Sequence, residues 1–116
     1  DNWNARDWFL IDWIAAHVEA AELLRKPLII QEFGTEVNRT EPSTAALDME
    51  ERESVFQQVY HAVEAYLATD SPLQGSLFWM WDIENPSEAD TFGIVTEDEN
   101  IMGMIADHVD FMKLVD

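Results

Sequence analysis

Apolar residues recur along this chain at two spacings, and the alternation between them defines the elements. Between residues 7 and 25, Leu10, Ile14, His17, Val18, Ala21 and Leu24 fall at helical intervals, with Glu19 and Glu22 on the other side. That pattern predicts an amphipathic helix. Lys26-Pro27 ends it, because proline disfavours helical backbone in the residue before it. Leu28-Ile29-Ile30 then sets apolar side chains at consecutive positions, as suits a strand of a parallel sheet covered by helices.

Residues 34–48 read as a loop rich in Gly, Thr, Asn, Pro and Ser. Asp48 is the expected N-cap of the next helix, with Glu51 as its reciprocal capping-box partner. That helix runs to about Thr69, and Val55, Phe56, Val59, Tyr60, Val63, Tyr66 and Leu67 form its buried stripe. Asp70-Ser71-Pro72 and Gly75 punctuate the turn into a strand at 76–81, Ser-Leu-Phe-Trp-Met-Trp. An acidic loop, 82–99, leads to a last helix at about 100–114, with Ile101, Met104, Ile105, His108 and Met112 on one face.

The order helix, strand, helix, strand, helix implies parallel βαβ units with a right-handed crossover. The expected fold class is α/β. Two parallel strands cannot close a barrel or bury both of their edges. Residues 1–116 are therefore expected to be one part of a larger domain.

Composition narrows the partners. Twenty-four acidic against six basic residues give a formal charge of −18. Phosphates would be repelled, so neither nucleic acid nor an anionic membrane is an expected partner. No apolar run approaches the roughly 18 residues that span a bilayer. Without cysteine, disulfides and thiol chemistry do not enter. The chain begins at Asp1 with no initiator Met and no signal-like segment, so a processed start or a fragment is expected. Asn38-Arg39-Thr40 is a glycosylation sequon in a loop-like stretch, in keeping with an extracellular, secreted protein.

Glu32 follows three aliphatic residues and Gln31 and precedes Phe-Gly. If the strand belongs to a barrel, Ile30 fills the interior and Glu32, of the same parity, surfaces at the top. Holding a loop through backbone hydrogen bonds is the structural alternative. Trp79 and Trp81 share a parity opposite to that of Phe78 and Met80, so one indole is expected at the top of the interior and the other over a core layer. A carboxylate beside an indole suits sugar cleavage: the carboxylate attacks or steadies a developing cation, and the ring stacks on the pyranose. His17, His61 and His108 lie in helices without ligand spacing and read as partly buried structural histidines. Asp82, Glu84, Glu88 and Asp90 line a rim or bind calcium, but show no EF-hand spacing. No metal and no cofactor is assigned.

These residues resemble the retaining glycoside hydrolases of family five, most closely the endo-β-1,4-mannanases. Asp1-Asn2-Trp3 is similar to the tail of the Tyr-Pro-x-x-Trp segment after strand six, and Trp13-Ile14-x-x-His17 to the pattern of the following helix. Lys26-Pro27 through Glu32-Phe33-Gly34 resembles strand seven, Gly75 through Trp79 strand eight, and Asp90 through Ile94 the loop beyond. Gln31 departs from the second Glu that many relatives carry there.

The resemblance implies the C-terminal part of a (β/α)8 TIM barrel: strands seven and eight with flanking helices. It implies that Glu32 is the catalytic nucleophile and that Trp79 binds substrate, a β-mannan or related β-1,4-glycan. The family's general acid/base, on strand four, has no counterpart in this sequence. The remaining barrel strands, from the same or another chain, are thus expected partners, and the chain alone is not expected to catalyse. The alternatives are a β-1,4-glucanase of the same family, or a non-catalytic structural or carbohydrate-binding subunit.

Overall fold

A computed structural model describes residues 3–115. Asp1 and Asn2, which open the first segment of the resemblance, lie outside the described residues. The elements are α1 (Trp3–Leu24), β1 (Leu28–Phe33), α2 (Pro42–Leu67), β2 (Leu73–Phe78) and α3 (Glu99–Leu114). Their order is the one the sequence predicts, and β1 and β2 pair in parallel as a two-stranded sheet.

Helix α1 starts at Trp3 rather than at residue 7. Its end is closed at Arg25, which takes a left-handed φ of 53°. The Lys26 N–H bonds to the Ala21 carbonyl at 3.1 Å, the reach-back of a Schellman closure. Asp70, at φ 56°, lets the Ser71 N–H return to the Tyr66 carbonyl after α2 in the same way.

The start of α2 differs from expectation. The helix begins at Pro42 with Glu41 as N-cap, because proline's fixed φ suits the first helical position and its missing N–H costs nothing there. Asp48 lies inside the helix, and its carboxylate accepts the Asn38 N–H at 3.0 Å. Glu51 bonds Arg6 of α1 instead of closing a capping box. Strand β2 also runs earlier, from Leu73 to Phe78, so Trp79 and Trp81 follow its end.

The core lies between the sheet and one layer of helices. Ile14 and Val18 of α1, Val55, Val59 and Val63 of α2, Ile30 of β1 and Leu73 of β2 form one cluster. Phe56 and Tyr60 of α2 join Ile94 and Ile101 of α3 in a second. The other face of the sheet is bare: Ile29 and Leu77 are 56% and 58% exposed. Trp8, Phe9, Ile11 and Trp13 leave a further apolar surface on α1. The chain forms a slab of 45 × 31 × 18 Å with a radius of gyration of 15.2 Å, against about 13 Å for a compact chain of this length. No described helix is long and apolar enough to cross a membrane.

Candidate active site

A bulge in β1 sets the direction of Glu32. Ile30 pairs with Ser76 and Phe33 with Phe78, so three steps of β1 oppose two of β2. One extra residue breaks the strict alternation of sides. Ile30, 6% exposed, packs into the helix-facing core, and so does Phe33, whose ring lies 4.7 Å from that of Phe56. The expectation that Ile30 fills the barrel interior on the side of Glu32 is therefore corrected. Gln31 and Glu32 occupy the extra step and are both exposed. Glu32, opposite Phe33 in the pleat, emerges on the bare face at the C-terminal end of the strand.

Trp79 follows β2 directly and continues its pairing. Its N–H donates to the Phe33 carbonyl at 2.8 Å. Phe78 turns inward onto Phe56, with ring centroids 5.6 Å apart. Trp79 is half-exposed on the opposite side, and Trp81 is 45% exposed. Neither indole is buried as a cap over core, contrary to the expectation for one of them, because nothing among the described residues covers that side. The Trp79–Met80 peptide is cis. A β-carbon on Gly34 would overlap the carbonyl oxygen of Trp79 and sit 3.7 Å from the Phe92 ring, so glycine is required there for room rather than for φ.

Beyond Trp79 the chain pairs with the loop ahead of α3. Met80 N–H donates to Phe92 O at 3.2 Å, and Ile94 N–H to Met80 O at 2.8 Å. Trp81 and Ile94 form an isolated parallel bridge. The Asp82 carboxylate accepts the N–H groups of Glu84 at 3.0 Å and Asp90 at 2.9 Å. Those bonds hold its pKa below the ordinary carboxylate value. Its oxygens are thus engaged in shaping the acidic loop, while Glu84, Glu88 and Asp90 are exposed. No cluster of three metal-ligating side chains forms among the described residues.

Two arginines that the sequence reading passed over knit this region together. Arg52, on α2, is fully buried. It donates to Thr35 O from Nε at 3.2 Å and from a terminal nitrogen at 2.7 Å, to Thr91 O at 2.7 Å and to Gly93 O at 2.8 Å. Arg39 donates to the same Gly93 O at 2.7 Å and forms a forked pair with Asp98 at 2.8 and 2.7 Å. Burial, and then the neighbouring Arg39, push the Arg52 pKa down to about 10, which leaves it ionised at neutral pH. Burial would raise the Asp98 carboxyl, but the Arg39 guanidinium and the Val95 N–H outweigh that and hold it low. The clue was the position of Arg52, three and four residues before Val55 and Phe56 and hence on the apolar stripe of its helix.

The histidines are not alike. His108 is buried, its Nδ1 2.8 Å from Glu64 and its ring stacked on Tyr60 at 4.0 Å. His17 and His61 are exposed, against expectation. His17 lies 2.7 Å from the Trp13 carbonyl and against the Trp13 ring, where the helix surface is uncovered. An open cleft of about 700 Å³ has Gly34, Thr35, Asp48, Glu51, Thr91 and Phe92 among its lining residues. Another of about 340 Å³ lies between α2 and α3 beside His108. Glu32 and Trp79 line neither of these.

An exposed carboxylate near the end of β1 and a half-exposed indole just past the end of β2 therefore lie on neighbouring parallel segments, and the pleat directs both away from the core. Such a carboxylate can supply one of the two groups that glycoside cleavage requires.

Residues 1–104 match the family described as GH family 5 beta-mannosidase-like. Mannan endo-1,4-beta-mannosidase 3 of Arabidopsis thaliana is 28% identical over 106 residues, covering 80% of this chain and 24% of its own length. Mannan endo-1,4-beta-mannosidase 4 of Solanum lycopersicum is 29% identical over 76 residues, covering 66% of this chain and 18% of its own. Among solved structures, a glycoside hydrolase family 5 mannosidase from Rhizomucor miehei in complex with mannosyl-fructose superimposes with a TM-score of 0.70 at 17% identity. That match covers 99% of this chain and 34% of the fungal one. A second structure of the fungal enzyme gives a TM-score of 0.63 at 16% identity. The chain thus spans a quarter or less of these two plant relatives and about a third of the fungal structures.

Proposed function

This chain belongs to the β-mannosidase-like glycoside hydrolases of family 5, and from that premise we propose that it is part of a retaining endo-β-1,4-mannanase-like enzyme. In this reading residues 1–116 are the end of a (β/α)8 barrel domain, with β1 and β2 as strands seven and eight. Glu32 attacks the anomeric carbon of the scissile sugar, and a glycosyl-enzyme forms and is then hydrolysed by water. Trp79 holds the ring by stacking. A second carboxyl group, protonated and supplied by the remaining strands about 5–5.5 Å from Glu32, gives its proton to the leaving oxygen; that separation of the two carboxyls goes with retention. The substrate is a β-mannan or related β-1,4-glycan, and the protein acts extracellularly.

The observation that supports this most is the exposure of Glu32 and Trp79 together on the uncovered side, at the C-terminal end of a parallel sheet. Parallel α/β barrels carry their active sites at that end. The bare apolar face, with Ile29 and Leu77, is what six further strands would cover.

The test is Glu32→Gln in the full-length protein, which keeps shape and removes the nucleophile. Hydrolysis of mannan should be abolished, and no glycosyl-enzyme should be trapped with a slow fluorosugar substrate. Unchanged turnover would rule out the assignment. Rates on mannan and on β-1,4-glucan, compared side by side, separate a mannanase from a glucanase.

A further inference from the structure

We propose that Arg52 is a positioning residue for the sugar-cleaving site: its buried guanidinium clasps the loops after both strands and so fixes Glu32 and Trp79 relative to each other. The inference rests on the functional reading above and adds to it a residue that touches no substrate.

The connection runs through backbone on both sides. Two of Arg52's hydrogen bonds end on Thr35 O, three residues beyond Glu32 along β1 and its exit. Gly34 lies between them, where a β-carbon would overlap the Trp79 carbonyl oxygen. The other two end on Thr91 O and Gly93 O. These flank Phe92, whose carbonyl accepts the N–H of Met80, the residue after Trp79. One planar cation thus grips the exit of the strand that carries the carboxylate and the loop that pairs with the residue after the indole. Arg39, itself held by Asp98, donates to the same Gly93 carbonyl.

The chemistry needs arginine. Four hydrogen bonds diverge to three carbonyl oxygens, which suits the flat five-donor fork of a guanidinium. A lysine ammonium is a compact charge and cannot span them. A wholly buried cation whose hydrogen bonds all end on carbonyls is a costly way to stabilise a fold, whereas rigid placement is what a site of two strands and two loops requires.

The experiment compares Arg52→Lys and Arg52→Met with the wild type in the full-length protein, reading kcat and KM on a manno-oligosaccharide together with thermal unfolding. Glu32→Gln serves as the control. Misplacement of reacting groups by about 1 Å costs roughly 10²-fold. The folded lysine variant should therefore lose about that factor in kcat at temperatures well below its melting point, with KM changed less. A folded variant with wild-type kcat and only a lower Tm overturns the inference. So does failure of both variants to fold, because the clasp is then a determinant of folding. If Glu32→Gln itself keeps activity, the functional reading fails instead, whatever Arg52 does.

Discussion

The carbonyl oxygen of Trp79 occupies the space that a β-carbon on Gly34 would fill. Because the Trp79 N–H also bonds to Phe33 O, the two strand exits meet in van der Waals contact two residues beyond Glu32. Replacing Gly34 with alanine forces the exits apart. Overpacking of this kind costs about 1–3 kcal/mol, so Gly34→Ala should lower the melting temperature and weaken substrate turnover together. Thermal unfolding and a steady-state assay check both.

Phe56 supports the site from below. It is fully buried, and its ring touches those of Phe33 and Phe78, the residues beside Glu32 and Trp79. Phe56→Ala should cost about 3–5 kcal/mol of stability, as buried phenylalanines do. Phe56→Leu, which leaves a smaller cavity, should cost clearly less. Chemical denaturation of the full-length protein reads the difference.

Trp79 is half-exposed on the bare face. A sugar that covers about 55 Å² of its apolar ring gains about 1.4 kcal/mol, or a factor of about ten in affinity. Trp79→Ala should raise KM for manno-oligosaccharides by about that factor, and Trp79→Phe by less. An unaltered KM and kcat in Trp79→Ala would remove the residue from the binding site.

Acid should loosen the loop clasp at Asp98. Its folded pKa is held below the ordinary 3.8 by Arg39 and the Val95 N–H. The ionised form is therefore favoured in the folded state, and its stabilisation is present above pH 3.8. It is lost as pH falls from there through the lowered folded value. Asp98→Asn should flatten the acid limb of a stability–pH curve while lowering stability at neutral pH. Equal slopes below pH 4 in both proteins would contradict this.

Much of the fold is legible in local pattern. The stripe from Val55 to Val63 is buried as its spacing requires, and Lys26-Pro27 marks the end of α1. The boundaries that fail are those decided by competing signals. Asp48 looks like an N-cap, but Pro42 offers an earlier start, and α2 takes it. The indoles of Trp79 and Trp81 look like continuing strand, yet β2 ends at Phe78, and beyond Trp79 the chain pairs with residues near Ile94. His17 and Leu24 sit at helical spacing but are exposed, since spacing predicts a face and not whether anything covers it.

Sequence alone determined the element order, the parallel α/β class, the stripe of α2, and the arrival of a carboxylate and an indole at the ends of two strands. These follow from periodicity and breakers, which act within a few residues. Tertiary structure decided that Ile30 and Phe33 share a side, because a bulge exists only in the register between two strands. It also decided what holds Arg52, whose carbonyl partners lie 17 to 41 residues away in the chain. A buried cation advertises its need for partners in the sequence, but only folding brings the oxygens to it.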